Sequence, residues 1–156
     1  MKITLLTVGK TDVKWVAEGL QLYTERLSHY VPFTVRELPA LKRAGALSPA
    51  QVRDKEGELL LASLKPTQTV VLLDERGTEY RSQAFAARLQ RALCDGRELV
   101  FAIGGAYGFS EAVYARADGR MALSQMTFSH QMVRVIFAEQ LYRAFTILRG
   151  EPYHNE

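Results

Sequence analysis

Cysteine is almost missing: Cys94 stands alone in 156 residues, which excludes an internal disulfide and any cysteine-rich metal cluster. By composition it reads as a small, buried apolar side chain. Long hydrophobic runs are missing too. No stretch approaches the roughly 20 uninterrupted apolar residues of a membrane span, and the opening from Met1 to Val8 is too short to read as a signal peptide. The expectation is a soluble, cytoplasmic chain with no membrane contact. Charge of one sign is scarce, since 20 Lys and Arg against 17 Asp and Glu leave a net +3, too mild to argue for a nucleic-acid partner by itself. The three histidines, His29, His130 and His154, lack metal-ligand spacing, so no metal is expected.

What is present is enough for a core. At 47% hydrophobic content, a chain of this length buries about 70% of its unfolded surface in one compact unit. With no repeat, linker or low-complexity run, residues 1–156 read as a single domain. Ile3 to Val8, Thr69 to Leu73 and Leu99 to Ile103 are nearly continuous apolar runs of strand length, the pattern of strands covered on both faces. Phe33 to Leu38 is more polar and reads as a strand nearer an edge, and Met121 to Leu123 as a short fifth strand.

Helical spacing fills the intervals. Val13, Val16, Leu20, Tyr23, Leu27 and Tyr30 line one helix face. Ser48-Pro49 supplies an N-cap and a first-turn proline to a helix that Gly57 weakens by roughly 1 kcal/mol. Ser82 is read as the cap of the next helix, with Phe85, Leu89 and Leu93 on its buried face. The last and longest helix runs from about His130 to Leu148 and stops at Gly150-Glu151-Pro152. Strands alternating with helices predict an α/β fold: a single-domain, mostly parallel sheet with helices on both faces. The longest loop, Pro39 to Leu47, offers Lys42 and Arg43 as basic contacts.

Ligands of open α/β sheets bind beyond the carboxyl ends of the strands, which directs attention to the loops after Leu73, Ile103 and Leu123. Gly104 to Ser110 is glycine-rich, but its spacing fits neither a dinucleotide fingerprint nor a phosphate loop. It reads either as a ligand turn or as a tight turn before a helix capped by Ser110. Leu123 to Phe128 is neither a strand nor a helix pattern, and its apolar content suits packing on the core or an adenine ring. Glu139 and Arg143 are spaced for a helical ion pair, and the tail from Pro152 to Glu156 ends on an aromatic and an imidazole where a frayed polar run is usual.

Four segments, Phe101 to Gly108, Leu123 to Val135, Glu139 to Phe145 and Tyr153-His154, closely resemble the ribosomal RNA large subunit methyltransferase H family. Lys2 to Lys10 and Lys55-Glu56-Gly57 resemble it too, so the likeness spans the chain. The resemblance implies a small SPOUT methyltransferase, a homodimer with a C-terminal trefoil knot, a feature that general folding rules would not propose. It implies transfer of methyl from S-adenosyl-L-methionine to N3 of pseudouridine 1915 of 23S rRNA on the assembled ribosome. The family's cofactor positions fall on Leu73, Gly104 and the run Leu123, Ser124, Gln125, Met126, Thr127 and Phe128. Gly105 and Gly108 join them by inference, as backbone positions of the same turn.

Methyl transfer from a sulfonium needs positioning and exclusion of water more than covalent help. An imide nitrogen must still lose its proton, so a base or an anion-stabilising donor is expected nearby. The catalytic candidates are His154 as base or orienter, Tyr153 against the nucleoside, and Arg143 on phosphate or the developing anion, held by Glu139 and Tyr142. The expectation is that one subunit's tail serves the other's pocket. The resemblance implies a basic residue at the position of Asn155, so one RNA contact expected of the family is in question here. Two other classes remain at this stage, a non-catalytic ribosome-associated RNA-binding protein and a dinucleotide-dependent oxidoreductase.

Overall fold

The computed structural model describes residues 1–155; Glu156, the last residue of the expected tail, lies outside them. Strand β1 (Ile3–Val8) leads through helix α1 (Lys14–Leu27) to β2 (Phe33–Leu38). A 3-10 turn (Ala44–Ala46) precedes α2 (Pro49–Ser63), followed by β3 (Thr69–Glu79), α3 (Ser82–Cys94) and β4 (Leu99–Ile103). Helix α4 (Glu111–Arg116), β5 (Gly119–Ala122) and α5 (Met132–Leu148) complete the order.

The strands form one five-stranded sheet in the order β2-β1-β4-β3-β5, and every pairing is parallel. Alternation along each strand sorts the side chains into two cores. Ile3, Leu5, Leu99, Phe101 and Ile103 face Leu20, Leu27, Phe85, Leu89, Phe137 and Leu141 of α1, α3 and α5. Leu6, Val8, Val70, Leu72, Val100 and Ala102 face Leu60 of α2 and Val113 of α4. The expected layering is therefore present, three helices on one face and two on the other. β1 and β4 are buried along their whole length, as their nearly continuous apolar runs require, and β2 is an edge strand.

Ser48 caps α2 in a full capping box with Gln51, and Ser110 caps α4 by accepting from the Val113 amide. Three local expectations need correction. Ser82 is the first residue of α3 and Arg81 the N-cap, without a side-chain cap bond. Cys94 is exposed, because α3 buries the stripe through Phe85 and Leu89 and its last residue falls outside it. β3 does not end at Leu73: Met121 of β5 pairs with both Leu73 and Thr78, so residues 74–77 bulge out before the strand resumes. Gly77 brings this bulge back onto β5, where a Cβ would lie 2.6 Å from the Met121 amide nitrogen. No helix among the described residues is long and apolar enough to cross a membrane.

Candidate functional site

The bulge in β3 and the loops after β4 and β5 all lie at the carboxyl end of the sheet, and together they enclose a cavity of about 590 Å³. That size falls within the usual range for small-molecule sites. Leu73, Ile103, Met121, Leu123, Phe128 and Val133 supply apolar walls. Residues 104–109 supply mostly backbone. The Gly108 amide donates to the Gly105 carbonyl at 3.2 Å, and Gly108 sits at φ +80°, a conformation that glycine adopts without strain. Polar groups enter from the bulge: Tyr114 donates to Asp74, Arg76 Nη2 donates to the Tyr114 hydroxyl at 3.2 Å, and Thr127 donates to Glu75. Burial and its bond to Asp74 hold the Tyr114 phenol above the ordinary tyrosine range, so it remains a donor.

The glycine turn is held from behind by α2. A Cβ on Gly105 would lie 2.5 Å from both carboxylate oxygens of Glu56, and a Cβ on Gly57 would lie 2.4 Å from Ser110 Oγ. Gly57 therefore has a packing reason that offsets its cost to the helix: it lets α2 meet the cap of α4. Glu56 is buried, its Oε1 has no hydrogen-bond partner among the described residues, and burial pushes its pKa up.

The loop from Leu123 to Gln131 is anchored by the start of α5. Arg134 is fully buried, and its guanidinium donates to the carbonyls of His130 (2.9 Å), Gly9 (3.0 Å) and Val8 (3.0 Å) and to Thr11 Oγ1 (2.8 Å). Glu37 at 3.4 Å supplies the countercharge. A charge this deep is tolerated because each guanidinium nitrogen finds an acceptor. Gln131 works in parallel, its Oε1 accepting from the Asp12 amide at 3.1 Å and its Nε2 donating to the Lys10 carbonyl at 2.9 Å. The entrance of α1 and the cavity loop are thus fastened to one another.

The C-terminal residues form a second cluster. Arg143 donates to Glu139 Oε1 through Nη2 (2.6 Å) and Nε (3.1 Å), and Tyr153 donates to the same oxygen at 3.0 Å. The ion pair expected from the spacing is present and mostly buried, with side-chain exposures of 25% and 19%. Arg143 Nη1 lies 3.0 Å from His154 Nδ1. A guanidinium only donates, so Nδ1 accepts here and the ring proton of the neutral imidazole sits on Nε2. Burial, with bonds to Tyr23 and Glu139, holds the Tyr153 phenol well above its ordinary pKa. Tyr142 packs edge-on against Tyr153 at 4.8 Å, and Tyr30 donates to Glu151 at 2.6 Å, which ties the tail to its own chain. That bond, with burial, pushes Tyr30 up to about 12.

Leu73, Gly104, Gly105, Gly108, Leu123, Ser124, Met126, Thr127 and Phe128 all line the cavity, and Gln125 does not. Arg143, Tyr153 and His154 are together but absent from the cavity wall. Val133 on α5 touches the cavity; Glu139 and Arg143 lie about 9 and 15 Å further along the helix axis. Within one chain the two groups do not meet. The sequence reading missed Asp74, Glu75, Arg76, Tyr114 and His130 on the cavity wall. The available signal was the charged, glycine-ended interruption Asp74-Glu75-Arg76-Gly77 in an apolar strand run, a mark of a bulge. Among the described residues no group of three or more His, Cys, Asp or Glu is placed to hold a metal ion.

Comparison with known proteins adds two kinds of match. A family model described as "Predicted SPOUT methyltransferase" matches residues 1–154. A Porphyromonas gingivalis protein named "Ribosomal RNA large subunit methyltransferase H" is 54% identical over 157 positions, covering 100% of both chains. Proteins of the same name from Parabacteroides distasonis and Christiangramia forsetii are 50% and 49% identical, covering 100% and 99% of each chain.

Proposed function

The chain belongs to the SPOUT methyltransferase family, and we propose that it methylates ribosomal RNA of the large subunit, using S-adenosyl-L-methionine held in the cavity at the carboxyl end of the sheet. The observation that carries this reading is the cavity itself: an apolar slot backed by exposed peptide groups, lined by nearly every residue to which sequence resemblance assigns the cofactor. The donor set fits that group. Leu73, Ile103, Leu123 and Phe128 offer faces to adenine, the backbone of 104–108 can approach closely, and Glu75 and Asp74 place negative charge near a cationic ligand. The bound cofactor supplies an activated methyl group. The finer target we assign is N3 of pseudouridine 1915 in 23S rRNA on the assembled ribosome.

The protein's part is to hold the base in line, exclude water and stabilise the charge left when the imide proton departs. Arg143 suits that last task. Glu139 and His154 engage three of its five N–H bonds, which leaves two for a substrate oxygen. Glu139 fixes both Arg143 and Tyr153, a positioning role. With Nδ1 accepting from Arg143, the neutral ring of His154 has no lone pair left to take a proton, which favours the orienting role over that of base.

Because the tail cluster and the cavity do not meet within one chain, we assign the active form to a homodimer in which each tail serves the partner's cavity. Large apolar side chains at the cavity loops and helix starts, Met126 (78% exposed), Trp15 (56%), Tyr107 (50%) and Met132 (37%), offer surface for that second copy. In the same reading, the segment leading from β5 to α5 forms the trefoil knot.

The test is incubation with methyl-labelled S-adenosyl-L-methionine and ribosomes lacking the modification, followed by nucleoside mapping. The expected product is N3-methylpseudouridine at one site. Ribosome binding without incorporated label would establish the non-catalytic alternative.

A further inference from the structure

The cavity opens sideways along the edge of the sheet. Arg76 and Tyr114, on its wall, also border a hollow of about 410 Å³. That hollow ends at Asp118, Gly119 and Arg120, which border in turn a cleft of about 290 Å³ beneath α3. Three concavities therefore follow one another along β5, the outermost strand, and Arg76, Arg120, Arg88 and Arg91 mark the way.

These arginines differ from those that hold the fold together. Arg116 is spent on the Lys65 and Gln68 carbonyls, and Arg134 on the loops at the start of α1. Arg88, Arg91 and Arg120 are exposed and make no side-chain hydrogen bond or ion pair among the described residues. Two are nevertheless pre-set by aromatic rings: Arg120 lies over Tyr114 at 4.7 Å, and Arg88 over Tyr80 at 5.4 Å. A guanidinium already stacked loses less freedom when it bonds an anion. Arg88 reaches β5 beside Arg120, its Nη2 coming within 3.9 Å of where a Cβ on Gly119 would stand. The nearby acids are largely committed, Asp118 to the Val70 amide and Arg116, Asp74 to Tyr114 and Arg76, and Glu75 to Thr127; Asp95 remains. A chain of net charge +3 thus concentrates positive charge along one edge that leads into the cavity.

We propose that this arginine track along β5 and α3 binds the backbone phosphates of the RNA strand flanking the target nucleotide, and guides that nucleotide to the cavity. The inference rests on the RNA-methyltransferase reading and adds a surface away from the tail cluster. Phosphodiester backbone is the occupant that fits: a linear polyanion matches a row of forked donors, and the row ends where a base must enter.

Association of the full-length protein with ribosomes lacking the modification, measured by cosedimentation across a salt series, tests it. Relative to wild type, R88A/R91A/R120A is expected to bind about tenfold or more weakly near 0.1 M salt, with a log–log salt slope shallower by about 2 to 3. R88K/R91K/R120K should keep most of the slope. Calorimetric uptake of S-adenosyl-L-methionine should match wild type. Unchanged ribosome affinity and slope in the alanine variant would overturn the track, as would loss of cofactor uptake, which would mean that the arginines act through the fold. If wild type transfers no methyl, the enzymatic reading fails by itself, and the salt slope still judges the track.

Discussion

Glu56 shows how a single buried group supports the site without touching it. Its carboxyl lies against the Cα of Gly105, inside the elbow between α2 and the glycine turn. An ordinary glutamate titrates near about pH 4.3, and burial raises this one. A raised carboxyl pKa favours the fold below the ordinary value, and that advantage is lost as pH rises through the raised one. Glu56→Gln should therefore melt about 3 °C or more above wild type at neutral pH, with the gap closing below about pH 4. Thermal unfolding across pH checks this, and a gap independent of pH would contradict it. At this scale the sequence was read unevenly. Ser48 and Ser110 declared themselves as caps, whereas the packing reason for Gly57 and the burial of Arg134 depend on neighbours more than 50 positions away. Local propensity carries no trace of either. Cys94 failed for a related reason: composition places cysteine inside, but helix phase decides which way it faces.

Elements were more legible than their joins. Nearly continuous apolar runs marked β1 and β4 to the residue, because strands buried on both faces carry few polar residues. β3 was cut short at Leu73 because the bulge that follows is charged and ends in glycine, like any surface loop. β5 begins two residues earlier than its apolar core, since Gly119 and Arg120 lie along the open edge. The insertion of β4 between β1 and β3 is a matter of long-range pairing that no periodicity encodes. The tail poses the sharpest question at this scale, because it folds back on α5 through the bond of Tyr153 to Glu139 and is tied through Glu151 to Tyr30 beyond α1. Tyr153, His154 and Asn155 contribute nothing to the cavity wall. Without residues 153–156, the protein should bind S-adenosyl-L-methionine within about twofold of wild type while losing at least about a hundredfold in turnover. Single-turnover kinetics beside calorimetry separate the two effects, and full activity without the tail would contradict its assigned role.

For the whole molecule, the governing fact is the separation between cavity and tail cluster along α5. Composite sites in a two-fold dimer make a quantitative claim. A Leu123→Arg subunit has a blocked cavity and an intact tail; a subunit lacking residues 153–156 has the reverse. Refolded together in equal amounts, the two inactive proteins should recover about a quarter of wild-type activity, from mixed dimers with one complete site each. Sites assembled within single chains would recover none. The sequence placed the cavity loops correctly through the rule that ligands sit beyond the carboxyl ends of parallel strands, but it could not show how far those loops lie from the tail.

All of this presupposes that the slot formed by the β3 bulge, the glycine turn and the loop before α5 accepts S-adenosyl-L-methionine. Isothermal titration of that compound into the purified protein, beside the Leu123→Arg variant, is the most direct measurement. The account predicts saturable, stoichiometric uptake by wild type and none by the variant. Absence of uptake by wild type, with ribosomes present or absent, would contradict it.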